Sequence, residues 1–259
     1  MKEACLYNDA LWTRALNGAL LRVEGVFSGG IYLSFSDGAM LMLHDSACGS
    51  LPFGAAVRDF AGTGKTLGVE LGMQAVLTSE TLEFPAAGLV VPVVHRPERT
   101  PTGVIAADFL SATAAFETRT EDAFSKAAAP ALAALDRGLR ENDGKLLLRA
   151  AEGLVGLGRG LTPSYDDYLT GLMFCLHYAG CPSAALNDAV LGALDRTNRY
   201  SAAFLRAAAE GGFFSLLADC LAAGRGEAIQ ALLAVGASSG RDMLAGLRAG
   251  VKAIRDKLA

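Results

Sequence analysis

Two adjacent aspartates, Asp166 and Asp167, enter an apolar run directly after a glycine-rich stretch, "GLGRGLTPSYDDYL", residues 156 to 169. The glycines Gly156, Gly158 and Gly160 let a ligand come close to the backbone, and a helix starting at the Thr-Pro-Ser step presents unpaired N–H groups in its first turn. That is the equipment for holding an anion. Thr162 followed by Pro163 suits an Ncap and N1 pair, and Ser164 with Asp167 offers a start two residues later. Neighbouring helical side chains diverge by about 100°, so the two aspartates cannot share one proton face to face. A helix N-terminus also favours their charged forms, which makes either a poor general acid. They are expected to accept hydrogen bonds from N–H donors, one facing a ligand while the other caps. A plain capped helix is the competing reading, worth about 0.5 to 2 kcal/mol. Three glycines ahead of one helix exceed what a cap requires.

Two further helix starts have the same character. One is "RTNRYSAAFL" with Ser201; the other is "GASSGRDMLAGL" with Ser238, Ser239, Gly240 and Asp242. Each of the three loops carries an arginine: Arg159, Arg199 and Arg241. If the three ends converge, they form a pocket of amides, hydroxyls and guanidinium groups around a small anion that bears N–H groups. Taken singly, each arginine reads as a solvated surface residue. The spacing S-x-x-D-x-L-x-G-L at Ser164, Asp167, Leu169, Gly171 and Leu172 recurs at Ser239, Asp242, Leu244, Gly246 and Leu247. A serine three residues before an acid resembles a capping box, and a glycine four after the acid lets another helix approach.

Other chemistries lack their residues. The only GKT, Gly64 to Thr66, has Asp59 where a phosphate-binding loop needs its first glycine, and it runs into "LGVELG", which reads as strand. "GLGRGL" differs in spacing from the dinucleotide fingerprint, and no βαβ pattern surrounds it. His44, His95 and His177 have no metal-ligand spacing, and no metal site is expected. The five cysteines, Cys5, Cys48, Cys175, Cys181 and Cys220, contain no CxxC pair and read as buried or idle thiols. No G-x-S-x-G elbow is present for serine hydrolysis.

The elements that must carry these loops fall into two halves. From Leu20 to about Val94 the pattern has period 2 and is punctuated by glycine. In "GGIYLSFSDGAMLMLHD", a two-residue turn at Asp37 and Gly38 pairs Phe35 with Met40, Leu33 with Met42 and Ile31 with His44. Pro52, Pro85 and Pro92 suit edges and turns. Residues 95 to 103, "HRPERTPTG", mark a boundary, and beyond it alanine and leucine recur at helical spacing. The expected class is α+β: a small β-sandwich or barrel lobe over residues 1–100, then an all-α lobe of seven to nine helices over residues 101–259.

The chain has 259 residues, 52% hydrophobic and 19% charged, with a formal net charge of −4. Mean hydropathy is +0.33 and the pI near 5.4. No run approaches the roughly 18 apolar residues of a membrane span, and residues 1 to 23 lack the apolar core of a signal peptide. A cytoplasmic globular protein is expected. No basic cluster of nucleic-acid type appears, so nucleic acid and membrane are not expected partners.

The run Gly156 to Asp167 (G-x-G-x-G-L-T-P-S-x-D-D), then Thr197 to Ser201 (T-x-x-x-S), then Gly236 to Gly246 (G-x-S-S-G-x-D-x-L-x-G) resembles the AllH family. That family's pattern usually has glycine where this chain has Tyr165. The resemblance implies a subunit of oxamate carbamoyltransferase in anaerobic allantoin (purine) breakdown, converting oxalurate and phosphate to oxamate and carbamoyl phosphate. It implies an FdrA-type partner subunit and a third subunit, and no cofactor. Under it, Asp166, Asp167 and Asp242 are the candidate catalytic carboxylates. Gly158, Gly160, Thr162 and Ser164 would cradle phosphate and the oxyanion, and Ser201, Ser238, Ser239 and Gly240 would orient substrate. A non-catalytic subunit that binds a small acid or serves assembly is the alternative, as is a chain acting alone on another carbamoyl or carboxylate compound.

Overall fold

The computed structural model describes residues 3–27, 29–58, 60, 67–97, 102–116, 122–224 and 226–258. It divides into two compact units, Met1–Arg99 and Thr100–Ala259. The expected boundary stretch lies partly outside the described residues, and so does the GKT motif with Asp59.

The first unit contains β1 (Ala4–Leu6), α1 (Asp9–Leu16), β2 (Ala19–Phe27), β3 (Gly30–Phe35), β4 (Met40–Asp45), β5 (Gly54–Val57), β6 (Gln74–Leu77), β7 (Thr81–Phe84) and β8 (Leu89–His95). These strands close a barrel in the order β1-β5-β4-β3-β2-β6-β7-β8, so of the two expected forms it is the barrel. Closure removes the exposed sheet edges that a small open sheet would present. Its interior holds Leu6, Val23, Leu33, Leu43, Leu77, Leu82 and Phe84, and α1, capped by Asn8, adds Leu11 and Ala15.

The β3–β4 hairpin is present, but one residue out of the expected register. Ile31 pairs with Leu43, Tyr32 with Met42 and Leu33 with Leu41. The loop has three residues, Ser36 to Gly38. The Gly38 N–H donates to Phe35 O at 3.0 Å, and Gly38 has φ 84°. A turn followed by a left-handed glycine is the usual three-residue hairpin. Both strands are buried on nearly every residue, so inside–outside alternation could not set the register.

Two further strand readings need correction. Residues 67–73, with "LGVELG", form turns rather than strand, and only Gln74–Leu77 pair. Pro92 sits inside β8 opposite Thr81, not at an edge or turn. It is tolerated because Val93 N–H donates toward β7, to Glu80 O at 2.8 Å, which leaves the Pro92 nitrogen facing β1. Pairing with β1 begins only at Val93.

The second unit is helical: α2 (Phe109–Ala112), α3 (Ala123–Glu141), α4 (Gly144–Leu154), α5 (Ser164–Tyr178), α6 (Ala184–Gly192), α7 (Arg199–Ala209), α8 (Ser215–Ala223), α9 (Glu227–Leu233) and α10 (Ser239–Leu258). Asp122, Asp143, Ser183 and Asn198 cap α3, α4, α6 and α7 through their side chains. No described helix is long and apolar enough to cross a membrane.

Helix α5 is the hub. It is buried on almost every side, and α10 runs against it. Two glycines allow this approach. A Cβ on Gly171 would lie 2.2 Å from Met243 O, and one on Gly246 would lie 2.0 Å from Tyr168 O. The spacing from Tyr168 to Met243 also separates Gly171 from Gly246 and Leu172 from Leu247. The short sequence echo therefore marks two helices that meet in a nearly two-fold manner at their glycines, and both begin at the echoed serine.

Candidate functional site

The glycine-rich stretch runs from the end of α4 to the start of α5, and its glycines answer first to the fold. Gly156, Gly158 and Gly160 all have positive φ, at 79°, 133° and 95°. A Cβ on Gly158 would stand 2.4 Å from the Ser164 nitrogen, and one on Gly156 would stand 2.1 Å from Arg196 O. The loop folds back on the helix it precedes, so the close approach that the sequence suggested for a ligand is made by the protein's own backbone. Neither expected cap forms. Pro163 occupies the cap position, and Ser164 is the first helical residue. Two first-turn amides are already bonded, Tyr165 N–H to Leu157 O at 3.1 Å and Asp166 N–H to Pro163 O at 2.9 Å.

Asp166 is buried and accepts three hydrogen bonds: Gly156 N–H at 2.7 Å, Thr197 Oγ1 at 2.5 Å and Ser201 Oγ at 2.7 Å. One carboxylate thereby ties the glycine loop, α5 and the start of α7 together. Asn198, which the motif reading passed over, strengthens the same junction. Its Oδ1 caps α7, and its Nδ2 donates to Leu161 O at 2.8 Å. An asparagine directly before a helical run was a readable cap signal. Burial raises the Asp166 pKa, and the donors from Thr197, Gly156 and Ser201 counter it.

Asp167 points to the α10 side. Thr162 Oγ1 donates to its Oδ2 at 3.0 Å and lies 3.0 Å from Ser239 Oγ, so the first and third loops meet here. Asp167 is 1% exposed, and its Oδ1 has no hydrogen-bond partner. Burial pushes its pKa up to about 8; the Ser239 and Thr162 hydroxyls lower it, and the Asp242 and Asp166 carboxylates raise it further. Desolvation outweighs the helix-end effect that favours the charged form.

Beside this junction lies a cleft of about 280 Å³, lined by residues that include Arg159, Ser164, Tyr165, Ser238, Arg241 and Asp242. Two of the three expected loops reach it. The third, with Arg199 and Ser201, is not part of the lining; Ser201 is spent on Asp166. Gly240 is buried instead, where a Cβ would stand 1.7 Å from Leu232 O. Thr162 and Ser239 sit behind the cleft, in the Asp167 junction. The sequence reading missed the opposite wall, Phe116, Asp122, Phe124 and Ser125. The reciprocal Asp122–Ser125 capping box gave its signal, and the Arg159 guanidinium lies 5.5 Å from the Phe124 ring centre. Tyr165 is 3% exposed and stands edge-on to Tyr168.

The histidines and cysteines lie elsewhere. His44 is buried in β4, His95 ends β8 rather than opening a linker, and His177 contacts Ala209 O and Asn187. Among the described residues no group of three or more His, Cys, Asp or Glu could hold a metal. Cys175 and Cys220 are buried, whereas Cys181 is exposed.

Chemically, Arg159 and Arg241 offer guanidinium groups and Ser125, Ser164 and Ser238 offer hydroxyls to anionic oxygens, while Asp122 and Asp242 offer carboxylates to an N–H donor. Residues 154–251 match the family model described as oxamate carbamoyltransferase subunit AllH. The match runs from the end of α4 into α10, taking in both cleft loops and the Asp166 and Asp167 junctions. No solved structure matches the chain.

Proposed function

We propose that this chain is a subunit of an oxamate carbamoyltransferase acting in allantoin degradation, and that the cleft on its helical unit binds the small anionic reactants. What carries the reading is the meeting of Arg159 and Arg241, from two separate loops, in one cleft with Ser164, Ser238 and Asp242, inside the segment that matches the family. Paired guanidinium groups with hydroxyls suit carboxylate and phosphate oxygens. A carboxylate beside them suits a ureido N–H.

In the proposed reaction an oxygen of hydrogen phosphate attacks the ureido carbonyl carbon of oxalurate, and the bond from that carbon to the nitrogen shared with the oxamate half breaks. The proton of the hydrogen phosphate passes to that nitrogen, and oxamate and carbamoyl phosphate leave. Charge developing on the carbonyl oxygen falls to Arg159 and Arg241, because the Tyr165 and Asp166 amides are already bonded. Ser164 and Ser238 orient the anionic groups, and Asp242 accepts from the ureido nitrogen. Asp166, Asp167, Thr162, Ser201 and Ser239 hold the frame, with Gly158, Gly160 and Gly240 allowing its close turns. An FdrA-type subunit and a third subunit complete the proposed enzyme, a cytoplasmic assembly needing no cofactor of its own.

Calorimetric titration of the full chain with oxalurate, oxamate, phosphate and carbamoyl phosphate tests the cleft. Binding of at least one is expected, weakened about tenfold or more by Arg241→Ala, as loss of a charge-assisted hydrogen bond requires. No binding of any of them, or binding that ignores Arg159→Ala and Arg241→Ala alike, overturns the assignment.

A further inference from the structure

The two echoed aspartates occupy equivalent positions on crossing helices yet have different surroundings. Asp242 lines the cleft, whereas Asp167 is enclosed at the crossing with Thr162 and Ser239 against it and one carboxyl oxygen unpartnered. Thr170 Oγ1, one turn further along α5, is likewise buried without a hydrogen-bond partner. The charged groups acting on Asp167 are Asp242 from α10 and Asp166 from its own helix, both negative. Its hydrogen-bonding contacts, Thr162 of the preceding loop and Ser239 of α10, are neutral. A third carboxylate charge buried there would repel the other two in a poorly screened setting.

We infer that Asp167 is a proton-bearing positioning residue for the cleft: its neutral carboxyl, acting through Thr162 and Ser239, latches the start of α5 to the start of α10, and loss of its proton opens that latch and weakens anion binding. With the proton on Oδ1, which has no other partner, Oδ2 accepts from Thr162 and Thr162 accepts from Ser239. With the proton gone, the buried Oδ1 carries charge with no donor to it, and repulsion from Asp242 pushes the start of α10 away from α5. Because Ser238, Ser239, Arg241 and Asp242 share the first turn of α10 or its approach, the latch sets where Arg241 stands relative to Arg159. The direction agrees with the raised affinity of Asp167 for its proton. The ligand side of this inference rests on the anion-binding reading of the cleft; the proton side does not.

The test uses the full-length chain, Asp167→Asn and Thr162→Val, with inorganic phosphate as probe. Helix unfolding followed by circular dichroism between pH 5 and pH 9, without phosphate, is expected to show a midpoint that falls with rising pH in the unsubstituted chain. The Asn variant should lack that fall, and a protonated-carboxyl infrared band at neutral pH should disappear with it. Phosphate affinity is expected to drop about tenfold more across this range in the unsubstituted chain than in Asp167→Asn, the factor of a one-unit difference in pKa between free and bound states. Phosphate's own ionisation affects both proteins alike. Thr162→Val should weaken phosphate at every pH while keeping the infrared band. Identical pH profiles for the unsubstituted chain and the Asn variant overturn the inference. Failure of phosphate to bind any of the three proteins overturns the ligand reading of the cleft and the coupling to it, and the unfolding profile and infrared band still decide whether Asp167 holds the proton.

Discussion

Asp166 and Asp167 are neighbours in sequence with opposite duties. Asp166 gathers three donors from three segments, so its removal strands the half-buried Gly156 amide and Thr197 hydroxyl and the buried Ser201 hydroxyl. Each buried group left unsatisfied costs about 1–3 kcal/mol, although a hydroxyl can turn elsewhere. Asp166→Ala is therefore expected to destabilise the helical unit by about 3 kcal/mol and lower its thermal midpoint by several degrees. Asp166→Asn should fall between, since its amide keeps one acceptor oxygen. A thermal melt of the alanine variant matching that of the unsubstituted chain would show that the three loops are held by something else. Gly158 belongs to the same account: with φ 133° and its Cβ position 2.4 Å from the Ser164 nitrogen, it serves the chain reversal before any ligand.

At the scale of elements, the crossing of α5 and α10 depends on two glycines in equivalent places. Gly171→Ala and Gly246→Ala each drive a methyl into the other helix's backbone, and each is expected to cost about 1–3 kcal/mol or more. Because both act on one crossing, the double variant should deviate from the sum of the singles, which denaturant titrations of the four proteins would measure. Gly192, at the end of α6, is the control: a Cβ there meets nothing within 4 Å, so Gly192→Ala should be neutral or gain up to about 1 kcal/mol. Equal effects at all three positions would refute the crossing argument. The hairpin carries a parallel lesson, because in β3 and β4 the loop glycine, not the apolar pattern, sets the register.

At the scale of the whole molecule, the two units respond to pH in opposite directions. In the barrel, burial holds the His44 pKa down to about 4 from its ordinary 6.5, with the Asp45 carbonyl and carboxylate opposing. A depressed histidine contributes stability that is present above about 6.5 and is lost as pH falls through about 4. In the helical unit, Asp167 is raised from 3.8 to about 8, so its contribution is present below about 3.8 and is lost as pH rises toward about 8. Trp12, the only tryptophan, lies in the first unit and stacks on His95 at 4.8 Å. Its fluorescence follows the barrel, while circular dichroism follows mainly the helices. The tryptophan midpoint should fall on acidification from pH 6.5 to 4, and the helical midpoint should fall from pH 5 to 8. Parallel slopes for the two probes would contradict both assignments.

The sequence by itself determined the two kinds of structure, because period-2 and helical spacing are local patterns written in neighbouring residues. It also marked the loops that matter, through glycines, serines and aspartates at helix starts, and it carried the paired Gly171 and Gly246 as a visible echo. Tertiary structure decided the rest. Barrel closure depends on β1 meeting β8 across almost the whole first unit, and no local spacing records that contact. Which carboxylate ties and which faces the cleft follows from what α7 and α10 bring to α5. The Asp167 proton follows from burial, a property of packing that opposes the charge preference of the helix end it sits on. The far wall of the cleft, with Asp122, Phe124 and Ser125, comes from a helix remote in sequence, so only the folded chain could bring it to Arg159.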